Sequence, residues 1–339
     1  MINKEFFKYQ LLDDENTFIK EMTNVESAKI SYSSSSKLKL SGNVDVCLGP
    51  NENIDTNQRI RIIHVLNGVE NMLCTLLMST PSHKLFKNYK EISIECYSVL
   101  WLHEVNKITA RYSLTKGTNV VNEVKRLIGQ KNVDIIPSSL TTNVDLEWEI
   151  GTSILDICNQ LLECINYTPL YPLPDGLISS EPYILPQDKL VTVTYDDFDR
   201  SNKVEGECVS ELDFFDTPNV FVRYVNNPNT IDLVAVYENT NPDSPTSVVN
   251  RPRNVDSQEI RDAANVQVLM DIAKKDCATK TNKYHTVEFK TAINHRHGFE
   301  TCIYLNLNGV SGKFIEQDWD IDCICGGEMN HVVRRIVEV

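Results

Sequence analysis

The chain has 339 residues, 41% hydrophobic and 24% charged, the usage of a globular protein and not of a disordered one. Its 33 Lys and Arg against 47 Asp and Glu leave a formal charge of -14, which repels phosphate backbones and argues against a dedicated nucleic-acid binder. Such acidity suits a surface past which DNA slides without sticking, although solubility alone is the simpler and preferred explanation.

The length fits about two domains, with three also compatible. Met1–Gln10 has no apolar signal core, so the ten cysteines read as reduced thiols of a cytoplasmic environment rather than a disulfide framework. The apolar runs, such as Val99–Leu102, fall far short of the roughly 20 residues that span a bilayer.

Along the chain, Ala28–Tyr97 reads almost wholly as strand. Lys37–Val46, Arg59–Val65 and Glu91–Val99 alternate apolar with polar, as a half-buried sheet requires. Asn67-Gly68 is a type I′ hairpin signal, because both central turn positions need positive φ, and it pairs Arg59–Leu66 with Val69–Met78. The expectation is an antiparallel sheet or small barrel.

After Leu114 the period changes to 3.6. Val120, Val121, Val124, Leu127 and Ile128 share one face of a helix spanning Asn119–Ile128, with Gly129 as its C-terminal cap. A second helix starts at Thr152 or Ser153 and carries Ile154, Ile157, Cys158, Leu161, Leu162 and Ile165 on its apolar face, with Asp156 at the positive end of its dipole. Pro169, Pro172, Pro174, Pro182 and Pro186 then preclude a regular central strand and, with Asp175-Gly176 as a tight turn, predict an edge hairpin and a crossing segment.

Strands resume at Leu190–Tyr195, Asn219–Val225 and Leu233–Glu238, followed by a polar loop, Asn239–Asn250, expected on the surface. Ser257 is the expected cap of a third helix over Gln258–Lys280, with Ile260, Ala264, Val268 and Ile272 inward. Thr286–Ile293, Thr301–Leu307 and Met329–Val339 return to strand. Two β-rich lobes thus flank a mixed middle, and each lobe is compatible with one small barrel.

Chemistry finds little support. His295 and His297 with Cys323 and Cys325 offer tetrahedral zinc donors, but the single residue between the cysteines is poor spacing, and the pattern reads as buried thiols plus a turn with two solvated histidines. Asp196, Asp197 and Asp199 lack the Gly and terminal Glu of a calcium loop and read as a solvated turn. Cys158 and Cys164 fall on different helix faces, so they form no redox pair and read as core. Hydrolase-elbow, phosphate-loop, metalloprotease and dinucleotide motifs are absent. Glu147 and Glu149 invite comparison with a glycosidase pair, yet they more simply form the solvent face opposite Trp148. Tyr167, Tyr171 and Tyr183 among prolines suit either a sugar-stacking platform or, better, a subunit interface covering an edge strand. No catalytic, cofactor or metal residue is assigned.

The block WEIGTSILDICNQLLECINYTPLYPLPDGLISSEPYILP, from Trp148 to Pro186, resembles a segment of the baseplate hub proteins of tailed phages and phage-like particles, in which a helix leads into a tyrosine-rich strand, a turn and an S-E-P-Y-type tail. Asp216–Val222 (D-x-P-N-V-F-V), the Tyr237–Arg253 loop and the closing GGEMNHVVRRIVEV are similar to the same family. The resemblance covers residues 145–339 well and the first 110 mainly through the KLKLSGNVDV style of opening.

It implies an α+β, mainly β fold with two tail-tube-like antiparallel β-barrels and an intervening mixed α/β region: residues 1–115 a first barrel domain, 116–200 the middle, 201–339 a second barrel domain with the long helix. It further implies a homotrimeric hub that adapts the six-fold tail tube to the three-fold spike or tip in a virion baseplate or tailocin, assembled in the host cytoplasm. The implied partners are the tail tube protein, the spike or tip protein, the tape-measure protein and the baseplate wedge proteins, with DNA passing through an acidic lumen. No peptidoglycan-cleaving domain is expected after the last strand. A cell-wall glycosidase and a carbohydrate-binding tail module are the alternatives.

Overall fold

The computed structural model describes residues 4–52, 54, 58–197, 204–212, 216–226 and 233–339. The chain is α+β and mainly β, as expected. The first lobe is made of β1 (Glu5–Leu12), β2 (Phe18–Met22), β3 (Val25–Ser33), β4 (Leu40–Leu48), β5 (Arg59–Leu66), β6 (Val69–Leu85) and β7 (Lys90–Tyr97). Asn67 and Gly68 both take positive φ, 53° and 84°, which gives the β5–β6 hairpin the twist its strands require. β6 runs further than Met78 and passes Pro81 through a register irregularity, where a missing N–H is tolerated.

The middle holds α1 (Trp101–Val105), β8 (Tyr112–Leu114), α2 (Val120–Ile128), β9 (Val133–Ile135), β10 (Leu146–Trp148), α3 (Ile154–Glu163), β11 (Tyr171–Pro172) and β12 (Ile178–Ser180). Asn119 caps α2 by accepting from the Asn122 N–H, and Ser153 caps α3 by accepting from the Asp156 N–H. The expected proline-rich hairpin is β11–β12. β12 also pairs in parallel with β9, so β11 alone lies at that edge.

β13 (Val193–Asp196) and β14 (Val204–Leu212) lead to a three-stranded sheet of β15 (Val220–Val225), β16 (Leu233–Glu238) and β17 (Val255–Glu259), covered on one face by α4 (Val266–Thr281). The third helix therefore starts later than its sequence suggested. Residues 255–259 pair in parallel with β15, so their backbone groups are taken by the sheet, and Asn265, not Ser257, caps the helix. Ile260 still packs inward with Val268 and Ile272. The Asn239–Asn250 loop is not a surface loop throughout. Asn239, Ser244, Thr246 and Ser247 are buried, because the Asn239 amide and the Ser244 and Thr246 hydroxyls satisfy one another.

β18 (His285–Ala292), β19 (Cys302–Leu307), β20 (Val310–Asp322) and β21 (Glu328–Arg335) complete the chain. One thirteen-stranded sheet runs β14-β18-β21-β20-β3-β4-β7-β6-β5-β1-β2, with β19 on β20 and β13 on β19. β20 joins the lobes. Its first half pairs with β19 and its second half with β3 of the N-terminal lobe. A register shift between Glu316 and Asp318 hands the buried positions from Phe314 and Glu316 to Trp319, Ile321 and Cys323. Trp319 and Ile321 complete the first core around Ile30, Ile60 and Leu76, while Phe314 joins a second core around Tyr195, Phe289 and Ile303.

Candidate functional site

The fold disperses most candidates. Glu147 of β10 and Glu149 just after it are exposed and both bind Arg111, at 3.3 and 3.1 Å, so neither carboxylate is freed or desolvated for acid–base work. Trp148 faces the other way, buried, with its N–H on Gln160. Asp196 accepts from the Asn306 side chain and Asp197 from the Asn308 backbone, which ties the turn to β19 instead of to a cation; Asp199 lies outside the described residues. Cys158 and Cys164 are buried core thiols, as expected, with burial pushing both above the ordinary thiol value.

The tyrosines are consumed inside the chain. Tyr167 is buried with its hydroxyl on the Pro137 carbonyl, Tyr171 stacks on Phe299 at 4.3 Å, and Tyr183 packs beneath Lys275. The expected tyrosine interface is therefore an internal seam, because each ring meets a partner of its own chain. The zinc quartet is likewise not assembled: His295 and Cys325 are exposed, and Cys323 lies in the first core.

His297 is the exception, and it corrects the reading of a solvated turn. Its side chain is 1% exposed and meets Glu316 and His331, both 0% exposed. Glu316 Oε2 lies 2.7 Å from His297 Nδ1 and Oε1 lies 2.7 Å from His331 Nδ1. The outer nitrogens meet hydroxyls, His297 Nε2 on Tyr195 and His331 Nε2 on Thr291, both at 2.8 Å. Burial alone would raise the Glu316 carboxyl, but the two imidazoles against its oxygens hold it below the usual carboxylate range. Burial pushes His331 below the ordinary imidazole value and the Tyr195 hydroxyl up to about 12. Sequence reasoning missed Glu316 and His331 because a strand register, not a short spacing, brings them to His297. A signal existed: His331 alternates with Met329 and Val333 on the buried face of β21.

The other notable features are edges. β2 ends the large sheet and exposes Phe18 (53%) and Ile19 (44%). An open groove of 590 Å³ runs along this edge, lined by Leu11, Ile19, Met22, Leu48 and Gln58. At the opposite end β14 exposes Val209 and Leu212, and the edge strand β16 exposes Val234 and Val236. Apolar edges with unpaired backbone groups promote association unless covered.

No protein-family model matches the chain, and no curated protein matches it. Solved structures do. A tail protein from Neisseria meningitidis MC58 superposes with a TM-score of 0.69 at 12% identity over 97% of both chains. The 43 kDa tail protein of prophage MuSo2 from Shewanella oneidensis gives 0.67 at 10% over 98% of both. An Escherichia coli type VI secretion component, described as structurally similar to bacteriophage T4 tail proteins, gives 0.55 at 8% over 93% of this chain and 74% of that one. The chain thus shares, over nearly its whole length, the fold of these tail proteins.

Proposed function

We propose that this chain is a structural hub of a phage tail or tail-like particle, a homotrimeric ring that adapts a six-fold tail tube to a three-fold spike or tip. The observation that carries the reading is the fold shared with two tail proteins, one of them from a prophage, across 97–98% of each chain. The apolar edges at β2 and β14 support it, since both ends of one sheet await cover that a ring of copies supplies.

In this reading the three parts divide near residues 115 and 200, the two β-rich lobes act as tube-like units, and the protein performs no catalysis. Its neighbours are the tail tube, spike or tip, tape-measure and wedge proteins. The charge of -14 suits a lumen that DNA traverses without binding. The glycosidase alternative gains nothing from Glu147 and Glu149, which share one arginine on an open strand.

Mass photometry and analytical ultracentrifugation of the purified chain test the proposal. A trimer is expected in the wild type, with dissociation in Phe18→Lys/Ile19→Lys at unchanged monomer melting temperature. A wild type that stays monomeric at tens of micromolar, and is absent from the baseplate of particles imaged with a labelled chain, overturns it.

A further inference from the structure

The buried cluster of the C-terminal lobe is assembled from three separate places. His297 comes from the connection after β18, Glu316 from β20 just before its register shift, and His331 from β21. Without that shift Glu316 would not share a buried stretch with Phe314 while Trp319 faces the first core. Their donor atoms, two imidazole nitrogens and a carboxylate oxygen, all lie within 4.8 Å of one another.

Charge is the first argument. Among the described residues Glu316 forms ion pairs only with the two histidines, and no Lys or Arg reaches it. A buried carboxylate with no Lys or Arg beside it needs a positive charge brought to it, either a proton on an imidazole or a metal ion. The site calls for a cation.

Proton accounting is the second. The Thr291 hydroxyl has one proton and directs it to the Ala292 carbonyl at 2.8 Å, so toward His331 Nε2 it acts as acceptor. His331 then carries its proton on Nε2, and its Nδ1 lone pair points at a carboxylate oxygen. Two lone pairs at that separation repel unless a positive centre, a second proton or a metal ion, stands between them. The outer hydrogen bonds to Thr291 and Tyr195 orient both rings, as partners of metal-ligating histidines do.

We propose that His297, Glu316 and His331 bind one divalent transition-metal ion, zinc by donor type, as a structural staple across the lobe. Two imidazoles and a carboxylate suit zinc, and a closed, non-catalytic position suits a redox-inert ion. The staple ties β20 at its irregular point to β21 and to the segment after β18. The proposal does not depend on the assembly reading, because it concerns the isolated chain.

The test uses the full chain purified without a metal-affinity step. Inductively coupled plasma mass spectrometry is expected to find one zinc per chain. After chelator dialysis, zinc should raise the melting temperature until one equivalent is bound, and cobalt(II) should give visible d–d absorption with the same stoichiometry. Glu316→Gln should abolish both responses, and because this variant risks misfolding, the chelator-treated wild type with and without zinc is the deciding pair. Metal-free protein that takes up neither ion saturably and shows no melting shift overturns the proposal and leaves a protonated hydrogen-bond cluster.

Discussion

Replacing Arg223 by Met gives the sharpest test of how the β15–β17 sheet holds α4. The Arg223 side chain is fully buried; its Nε donates to Asp276 of α4 at 2.5 Å, and one terminal nitrogen reaches Asp256 of β17 at 2.9 Å and the carbonyls of Val222 and Asp256. Asp256 also binds Lys280 of α4, and these two cations hold its carboxyl below the usual range against the opposing effect of burial. Met keeps the stem volume and the packing on Phe221 but removes the charge. Breaking a buried pair from one side costs about 3–5 kcal/mol. The two carboxylates retain side-chain exposures of 21% and 22%, and Lys280 remains on Asp256, so the low end applies. The expected loss of about 3 kcal/mol corresponds to a roughly hundredfold larger opening constant.

Native-state hydrogen exchange read at Leu269–Cys277 measures it locally, which matters in a chain too large to assume a single two-state transition. Protection should fall in α4, β15 and β17 and hold in the first lobe. Adding Asp276→Asn should recover part of the loss, because the stranded carboxylate is neutralised. A loss under about 1 kcal/mol, or one spread evenly over all strands, refutes the assignment of Arg223 as the tie.

Two further outcomes follow from single positions. Gly42→Ala places a Cβ 2.7 Å from the Lys29 carbonyl oxygen and 3.0 Å from Leu76 Cδ1, inside a strand paired on both sides. The backbone contact cannot yield cheaply, so a loss of about 1–3 kcal/mol is expected, visible as a lowered urea midpoint; an unchanged midpoint contradicts the packing. Asp262 is buried, and burial raises its carboxyl above the ordinary 3.8 despite backbone donors such as the Asn143 N–H at 2.8 Å. A raised folded value means that its contribution favours the native state below the unfolded value and is lost as pH rises through the folded one. Asp262→Asn should therefore be more stable than wild type at pH 7, with the advantage vanishing near pH 4, as compared by urea unfolding; an advantage that grows toward acid would contradict the sign.

Much of the fold was legible in local patterns. Asn67-Gly68 and Ser153 act within a few residues, so turn and cap chemistry placed one hairpin and the start of α3, while the 3.6-residue period placed α2. Alternation located β4, β7 and β18 within a few residues, because each buries one face. The start of α4 was missed for a physical reason: Val255–Glu259 extends only because β15 offers it a parallel ladder from far away in the chain. The tyrosine segment read as a surface for the same reason, since nothing near Tyr171 in sequence announces Phe299.

The sequence by itself determined the short-range elements, the mainly β class, the absence of a familiar catalytic motif and the acidic charge, all properties of neighbouring residues or of composition. Tertiary structure alone decided which lone residues meet. His297, Glu316 and His331 lie on separate segments, each unremarkable in its own pattern, and only the register of β20 against β21 brings an anion between two imidazoles. The sharing of β20 between the two lobes is decided in the same way, because a strand's own residues specify its faces and its bulge but not the partner that its backbone finds.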